Sequence, residues 1–412
     1  MLKAAKTLLL GGAVTVVVLA VVLPTSRGQE AKRSLPLSLL EDKVRGGWAA
    51  QMIGVSYGSA YEFKAQGKMY TDPIREWKPE YVRNSIGQDD LYVEMTFMKV
   101  LEEKGLGAGM EDFGLAFRDS QYGLWHANRA GRDNLRKGIM PPWSGHPKYN
   151  EHADDIDFQI ESDFIGLICP GLPGASNELA DKVGHVMNFG DGVYGGMFVA
   201  SMYAQAFFES DPVKLVQGGV QSLPYRSRYA AVIRDVLRWH EQFPQDWTQC
   251  WQRVEDKWGK EDLCPDGRNR PFNIDAKING AYVAIALLYG QGDFAKTLEI
   301  AVRCGQDSDC NPASAAGPLG VVLGWSGIED KWKSGIEAIR SEKFSFTDYS
   351  FESVSALTLR LAQDVAKANG GAVQEQDGRQ MLVIVAQQPQ PPLVLEQWDA
   401  AGPLPEDHPE WQ

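Results

Sequence analysis

The chain has 412 residues, 44% of them hydrophobic, which is enough for one large core or two smaller ones and excludes global disorder. Its 41 basic and 54 acidic residues leave a net charge of −13. Such a surface repels nucleic acid and anionic lipid, so neither is an expected partner.

Lys3 and Lys6 precede an almost unbroken apolar run, Leu8 to Leu23, with small residues Ser26 and Gly28 placed for cleavage before Gln29. Residues 1–28 therefore read as a signal peptide and the protein as exported, periplasmic or extracellular; an uncleaved membrane anchor is the alternative. Residues 29–37 read as a linker. Ser38 and Glu41 then form a capping box for a helix carrying Leu40, Val44, Trp48, Met52 and Val55 on one face. Gly54-Val55-Ser56-Tyr57-Gly58 matches G-x-S-x-G, but no strand precedes it, which argues against a nucleophile elbow. A second helix runs from near Asp90 to Gly105. Arg129, Arg132, Arg136 and Lys137 read as a solvated helix face, while residues 130–160, rich in Pro, Gly, His and Asp, read as a long loop.

Tyr194 to Phe208 is apolar nearly all round, the pattern of a buried central helix. Helical patterns recur at 226–243, 278–289, 294–302, from Pro312 to Trp325, and at 351–367. After an Asp377-Gly378 turn, 380–386 and 393–397 read as short strands, and 399–412 as a loose Pro/Glu-rich end. The expected fold is all-α: a helical domain over 38–370, then a small β appendage and tail over 371–412. Of the five cysteines, Cys250 and Cys264 are candidates for a disulfide and Cys169 reads as a buried hydrophobe; no C-x-x-C pair exists.

Two distant clusters open alike: Gly87-Gln88-Asp89-Asp90 and Gly305-Gln306-Asp307-Ser308-Asp309. Each alone reads as helix capping. Together, four carboxylates with the Gln88 carbonyl form an oxygen-rich set suited to Mg²⁺, Mn²⁺ or Ca²⁺ rather than zinc. Glu62, between Tyr61 and Phe63, is either a solvated loop acid or an acid–base group with a raised pKa. The turn from Asn188 to Gly196 permits close backbone approach at a helix entrance but lacks a phosphate-loop lysine. The six histidines show no H-x-x-x-H spacing, and none is assigned to a metal.

Taken in order, these pieces resemble the ADP-ribosylglycohydrolase family over about residues 38–365. Arg45-Gly46-Gly47-Trp48 through Glu62-Phe63 is similar to the family's opening helix and Gly-x-x-x-Glu turn. Gln88-Asp89-Asp90 stands in the place of its Thr-Asp-Asp motif, and Gly305 to Cys310 resembles Gly-x-Asp-Thr-Asp-Thr. Ser162-Asp163-Phe164-Ile165-Gly166 and the Gly190 to Gly196 turn resemble its substrate-side segments. The resemblance implies an all-α fold and a hydrolase that holds ribose hydroxyls on Mg²⁺ or Mn²⁺, two ions or one. It places Gln88, Asp89, Asp90, Asp307 and Asp309 at the metal, Glu62 at the scissile bond, and Asp163, Gly190, Asp191 and Gly192 on the substrate side. Gln88 and Cys310 replace two family threonines, and Met187-Asn188 replaces a Thr/Ser-His pair. Export and these departures keep two alternatives open. One is a glycoside hydrolase for an extracellular carbohydrate or nucleoside; the other is a non-catalytic binding protein with a decayed metal site.

Overall fold

The computed structural model describes residues 32–259, 265 and 271–396, all within a unit that begins at Lys32. The body is helical, as expected. Its axis is the helix Leu37–Gly58, buried from Gly46 onward, lying against the helix Cys310–Gly327. Where they meet, both are rich in small residues, so their backbones approach without side chains between them. A Cβ on Gly46 would stand 2.3 Å from the Gly320 carbonyl oxygen, one on Gly54 2.6 Å from Ala313 Cα, and one on Gly58 2.0 Å from the Ser308 carbonyl oxygen. The second helix breaks at Gly324 (φ 70°), where Asp42 accepts from the Ser326 amide and hydroxyl, both at 2.9 Å. Trp48 Nε1 donates to Thr358 Oγ1 at 3.0 Å and so ties the first helix to Phe351–Ala368.

The helices Asp191–Ala206 and Ala276–Gly290 are buried on every side, matching their continuous apolar patterns. Asp89–Lys104 ends at Gly105 with φ 73°, the left-handed stop its glycine signalled. Among the described residues, no helix is long and apolar enough to cross a membrane.

Several expectations are corrected. Residues 32–36 are not a linker: Lys32–Pro36 is a strand (β1) paired antiparallel with Arg379–Val385 (β3), which also pairs with Ala372–Gln376 (β2) across the Asp377-Gly378 turn. Sheet order is β1-β3-β2, and Leu35, Leu382 and Ile384 enter the main core. Because β1 runs directly into the helix at Leu37, Ser38 and Glu41 lie inside it and form no capping box. Residues 130–160 are not all loop, since His126–Arg136 is helical. Its inward face is polar: Asn134 Nδ2 donates to the carbonyls of Ser144 and Tyr149, and Arg132 Nη1 to that of Tyr122. Apolar periodicity could not reveal such a helix, and Arg132 is no solvated basic residue. Residues 393–396 form no strand, and Gln397 lies outside the described residues. Ser56 is buried within a helix and donates to the Val82 carbonyl at 3.2 Å, which removes the nucleophile elbow. Cys250 is buried with a free thiol; Cys264 lies outside the described residues.

The glycine seam predicts a large effect from a small change. Gly58→Ala should destabilise the fold by about 1–3 kcal/mol, because the new methyl meets backbone that cannot swing aside. Gly107→Ala, with open space around it, should stay within about 0.5 kcal/mol. Urea denaturation of both variants checks this; equal midpoints would refute the seam as a packing constraint.

Candidate metal centre

The chain turns sharply after the helix Phe294–Cys304, with Gly305 at φ 85° and Gln306 at φ 56°. This turn is clamped on every side. The Gln306 amide donates to the Ala65 carbonyl at 2.8 Å, its side-chain oxygen accepts from the Asn273 amide at 2.8 Å, and its side-chain nitrogen donates to the Pro271 carbonyl at 3.1 Å. Only glycine fits at 305, where a Cβ would stand 2.4 Å from the Ala65 carbonyl oxygen. Asp307 and Asp309 are thereby fixed at the end of the glycine seam.

The two acidic clusters meet. Glu62, Gln88, Asp89, Asp307, Asp309 and Cys310 line one cavity of about 320 Å³, and Asp90 lies fully buried behind them. Capping does not account for them. The N-cap positions are Gln88 and Asp309, neither side chain makes a capping bond, and Gln88 donates instead to Asn84 at 2.9 Å. Asp90 Oδ1 has no hydrogen-bond partner among the described residues, while Oδ2 accepts from the Cys310 thiol at 3.5 Å. Carboxylates buried together without a counter-charge resist ionisation. Burial, then the charges of Asp309 and Asp89, push Glu62 up to about 7. Burial foremost also carries Asp307 to about 7 and raises Asp89. Asp90 and Asp309 stand well above the usual range, through burial and then the adjacent Asp89 and Asp307 charges respectively.

A hard divalent cation fits this donor set. It would satisfy the orphaned Asp90 oxygen and the mutual repulsion at once. Cys310 fits less well. Burial and four neighbouring aspartates push its thiol well up, so it remains protonated, a weak donor to Asp90 rather than a thiolate ligand.

The other walls carry no sequence motif. Ile156, Ile160, Ile274 and Cys310 form a small apolar cluster with Phe272 against it. Phe63 and Trp125, each 57% exposed, stand at the rim, and Phe63 meets Phe272 edge-on at 5.2 Å. Asp157 accepts from the Ala127 and Asn128 amides at 3.2 and 3.0 Å and is pushed by burial to about 7. Phe63 (φ 61°) and His126 (φ 39°) hold left-handed backbone that side chains rarely adopt, a strain that concentrates at functional sites.

The residues placed on the substrate side do not line this cavity. Asp163 is fully buried, accepts from Tyr203 Oη at 2.9 Å, and is pushed by burial to about 8. The Gly190 amide donates to Glu396 Oε2 at 3.1 Å, Asp191 Oδ1 accepts from the Tyr229 amide at 3.0 Å, and Gly192 allows close approach of Asn188 and the Ala153 carbonyl. These groups are engaged in holding the scaffold.

The charge pattern fixes the sign of a pH effect. Glu62 and Asp307 rise from ordinary values of 4.5 and 3.8 to about 7. The folded state thus binds more protons than the unfolded state between about pH 4 and 7, and stability from this cluster is lost as pH rises through that window. The metal-free protein should gain little from Mn²⁺ at pH 5 and much at pH 8. At a hundredfold excess over Kd the gain is about 2.7 kcal/mol. Asp309→Asn should narrow the pH dependence and abolish the Mn²⁺ shift. Thermal melts with EDTA or Mn²⁺ read both, and an unshifted melt at pH 8 would count against the site.

No curated protein matches the chain. A solved structure described as an "ADP-ribosylglycohydrolase-related protein complex" is similar at 15% identity over 79% of this chain and 98% of that one, with a TM-score of 0.49. The family model for ADP-ribosylglycohydrolase matches residues 36–370. On that match, which spans most of the chain, the protein belongs to the ADP-ribosylglycohydrolase family and is a hydrolase of the glycosylase type.

Proposed function

We propose that the chain hydrolyses a glycosidic bond in a divalent-metal-dependent reaction at the anomeric carbon, with Asp89, Asp90, Asp307 and Asp309 holding Mg²⁺ or Mn²⁺ and Gln88 beside them. The observation that carries this is the convergence of both acidic clusters and Glu62 on one cavity. When bound, the cation supplies Lewis acidity and a template for adjacent sugar hydroxyls. The chain's own residues do the rest. Glu62, at about 7, holds a proton it can exchange at neutral pH, as a general acid or base must. The apolar wall of Ile156, Ile160 and Ile274 excludes water from one side. Phe63 and Trp125 present flat faces at the mouth, suited to a sugar or planar ring.

One observation favours a substrate other than an ADP-ribosyl group. Asn188, at the position of the family's substrate-side histidine, has its side chain fully committed. Its Oδ1 accepts from the Phe158 amide, and its Nδ2 donates to the Ala153 and Asp155 carbonyls. It offers nothing to a ligand. With the exported character read from residues 1–28, this supports an extracellular carbohydrate or nucleoside as substrate, with action outside the cytoplasm.

Aryl glycosides, nucleosides, oligosaccharides and ADP-ribosyl substrates, each with Mn²⁺ and with EDTA, form the deciding screen. Asp307→Ala should abolish metal-dependent turnover. Glu62→Gln should lower kcat by about 10²–10⁴-fold while Mn²⁺ still binds. Full activity in Asp307→Ala would end this reading, and ligand binding without hydrolysis at saturating metal would identify a binding protein.

A further inference from the structure

Two histidines that share no sequence motif meet at one carboxylate. His126 Nδ1 and His152 Nδ1 face the same oxygen, Asp155 Oδ2, at 3.6 and 2.8 Å. One ligand atom from each of the three lies within 4.8 Å of the others. Asp155 is fully buried and both imidazoles are half-buried. His126 also forms part of the wall of the acidic cavity.

His152 hydrogen-bonds Asp155 Oδ2, and His126 approaches the same oxygen more loosely. The two separations straddle the roughly 3.3 Å expected between neighbouring donors on a tetrahedral ion with bonds of about 2.0–2.1 Å. The surroundings hold the three groups in place. The Asp155 amide donates to the His152 carbonyl at 2.9 Å, and its own carbonyl accepts from Asn188 Nδ2 at 2.9 Å. The His152 amide donates to Asn150 Oδ1 at 3.0 Å. The two rings pack edge-on with centroids 5.6 Å apart, and Phe272 lies 6.3 Å from that of His126. His126 keeps φ at 39°, a backbone conformation uncommon for a side-chain-bearing residue and maintained only where the surroundings enforce it.

We propose that His126, His152 and Asp155 form a second cation site, separate from the aspartate centre, that binds a zinc-class transition metal through two imidazole nitrogens and one carboxylate. The donor chemistry divides the two sites. Imidazole suits zinc, copper, iron and nickel, whereas an all-oxygen set suits magnesium and manganese. A bound metal would replace the present His152–Asp155 hydrogen bond. Three protein ligands leave a fourth position for water or ligand, as in open zinc sites.

Cobalt(II) tests this in the full-length, EDTA-treated protein. Tetrahedral cobalt with nitrogen ligands absorbs visible light far more strongly than octahedral, oxygen-ligated cobalt. The expected result is a visible band saturating at one equivalent and displaced by one equivalent of Zn²⁺. It should weaken at least tenfold in apparent affinity in His126→Gln and, separately, in His152→Ala, and persist in Asp307→Asn/Asp309→Asn. Circular dichroism confirms that each variant folds. His126→Gln, at a half-buried wall position, keeps the test open if His152→Ala does not fold. The proposal is overturned by the absence of a one-equivalent band, by a band unchanged in His126→Gln, or by a band lost only when the aspartates are changed.

Discussion

The distance between the Leu37–Gly58 and Cys310–Gly327 helices governs the rest of the molecule. Helices with ordinary side chains at their contact pack about 8–10 Å apart. Here Gly46, Gly54 and Gly58 on one helix face Gly320 and backbone near residues 308–313, leaving no room for a Cβ. The end of the first helix therefore lies on the start of the second. Glu62 emerges from one and Asp307 and Asp309 precede the other, so the same contact that builds the core sets the spacing of the acids. Lys43 completes it. Its ammonium donates to the carbonyls of Val321 and Val322 at 2.9 and 3.3 Å, covering acceptors freed where Gly324 breaks the helix.

This packing sets an electrostatic problem. Asp307 and Asp309 are buried with ligand atoms within 4.8 Å of each other and of Cys310, whose thiol donates to buried Asp90, and Glu62 and Asp89 share their field. Uncompensated buried charge is strongly destabilising, so the cluster either holds protons or takes a cation. The raised Glu62 and the orphaned Asp90 oxygen are two expressions of that single constraint. It also explains why a cysteine is tolerated at position 310. A protonated thiol adds no charge and still gives Asp90 one weak bond.

Much of this was legible from the residues. Helices with apolar faces announced themselves, as did Gly105 as a stop, the Asp377-Gly378 turn, and the two Gly-led acidic clusters. What was hidden has a common cause: it depends on partners far along the chain. β1 is too short to show a pattern and is a strand only because β3 pairs with it. The His126–Arg136 helix buries Asn128, Arg132 and Asn134, so its inward face looks like a solvated one. Trp125, Phe272 and Asp157 reach the cavity from separate segments without a motif. Asp163 and the Gly190 turn were placed at the substrate by resemblance alone. Tyr203, Glu396 and Asn188, which engage them, could not be inferred from spacing.

The segment beyond the family match belongs to the same construction. Glu396 accepts from His185 Nε2 at 2.9 Å and from the Gly190 amide, while its own amide donates to Tyr194 Oη at 2.7 Å. It thereby holds the turn that contains Asn188. Asn188 in turn holds residues 153–158, where Asp157 accepts the two amides that open the His126–Arg136 helix. A continuous run of buried and part-buried hydrogen bonds thus leads from residue 396 to the rim of the acidic cavity. The buried links, those of Asn188 and Asp157, each cost the full desolvation of a buried polar group if broken. The rim is therefore stiff although much of it is loop, and a glycosidic substrate would meet preformed walls rather than a surface that must first be ordered.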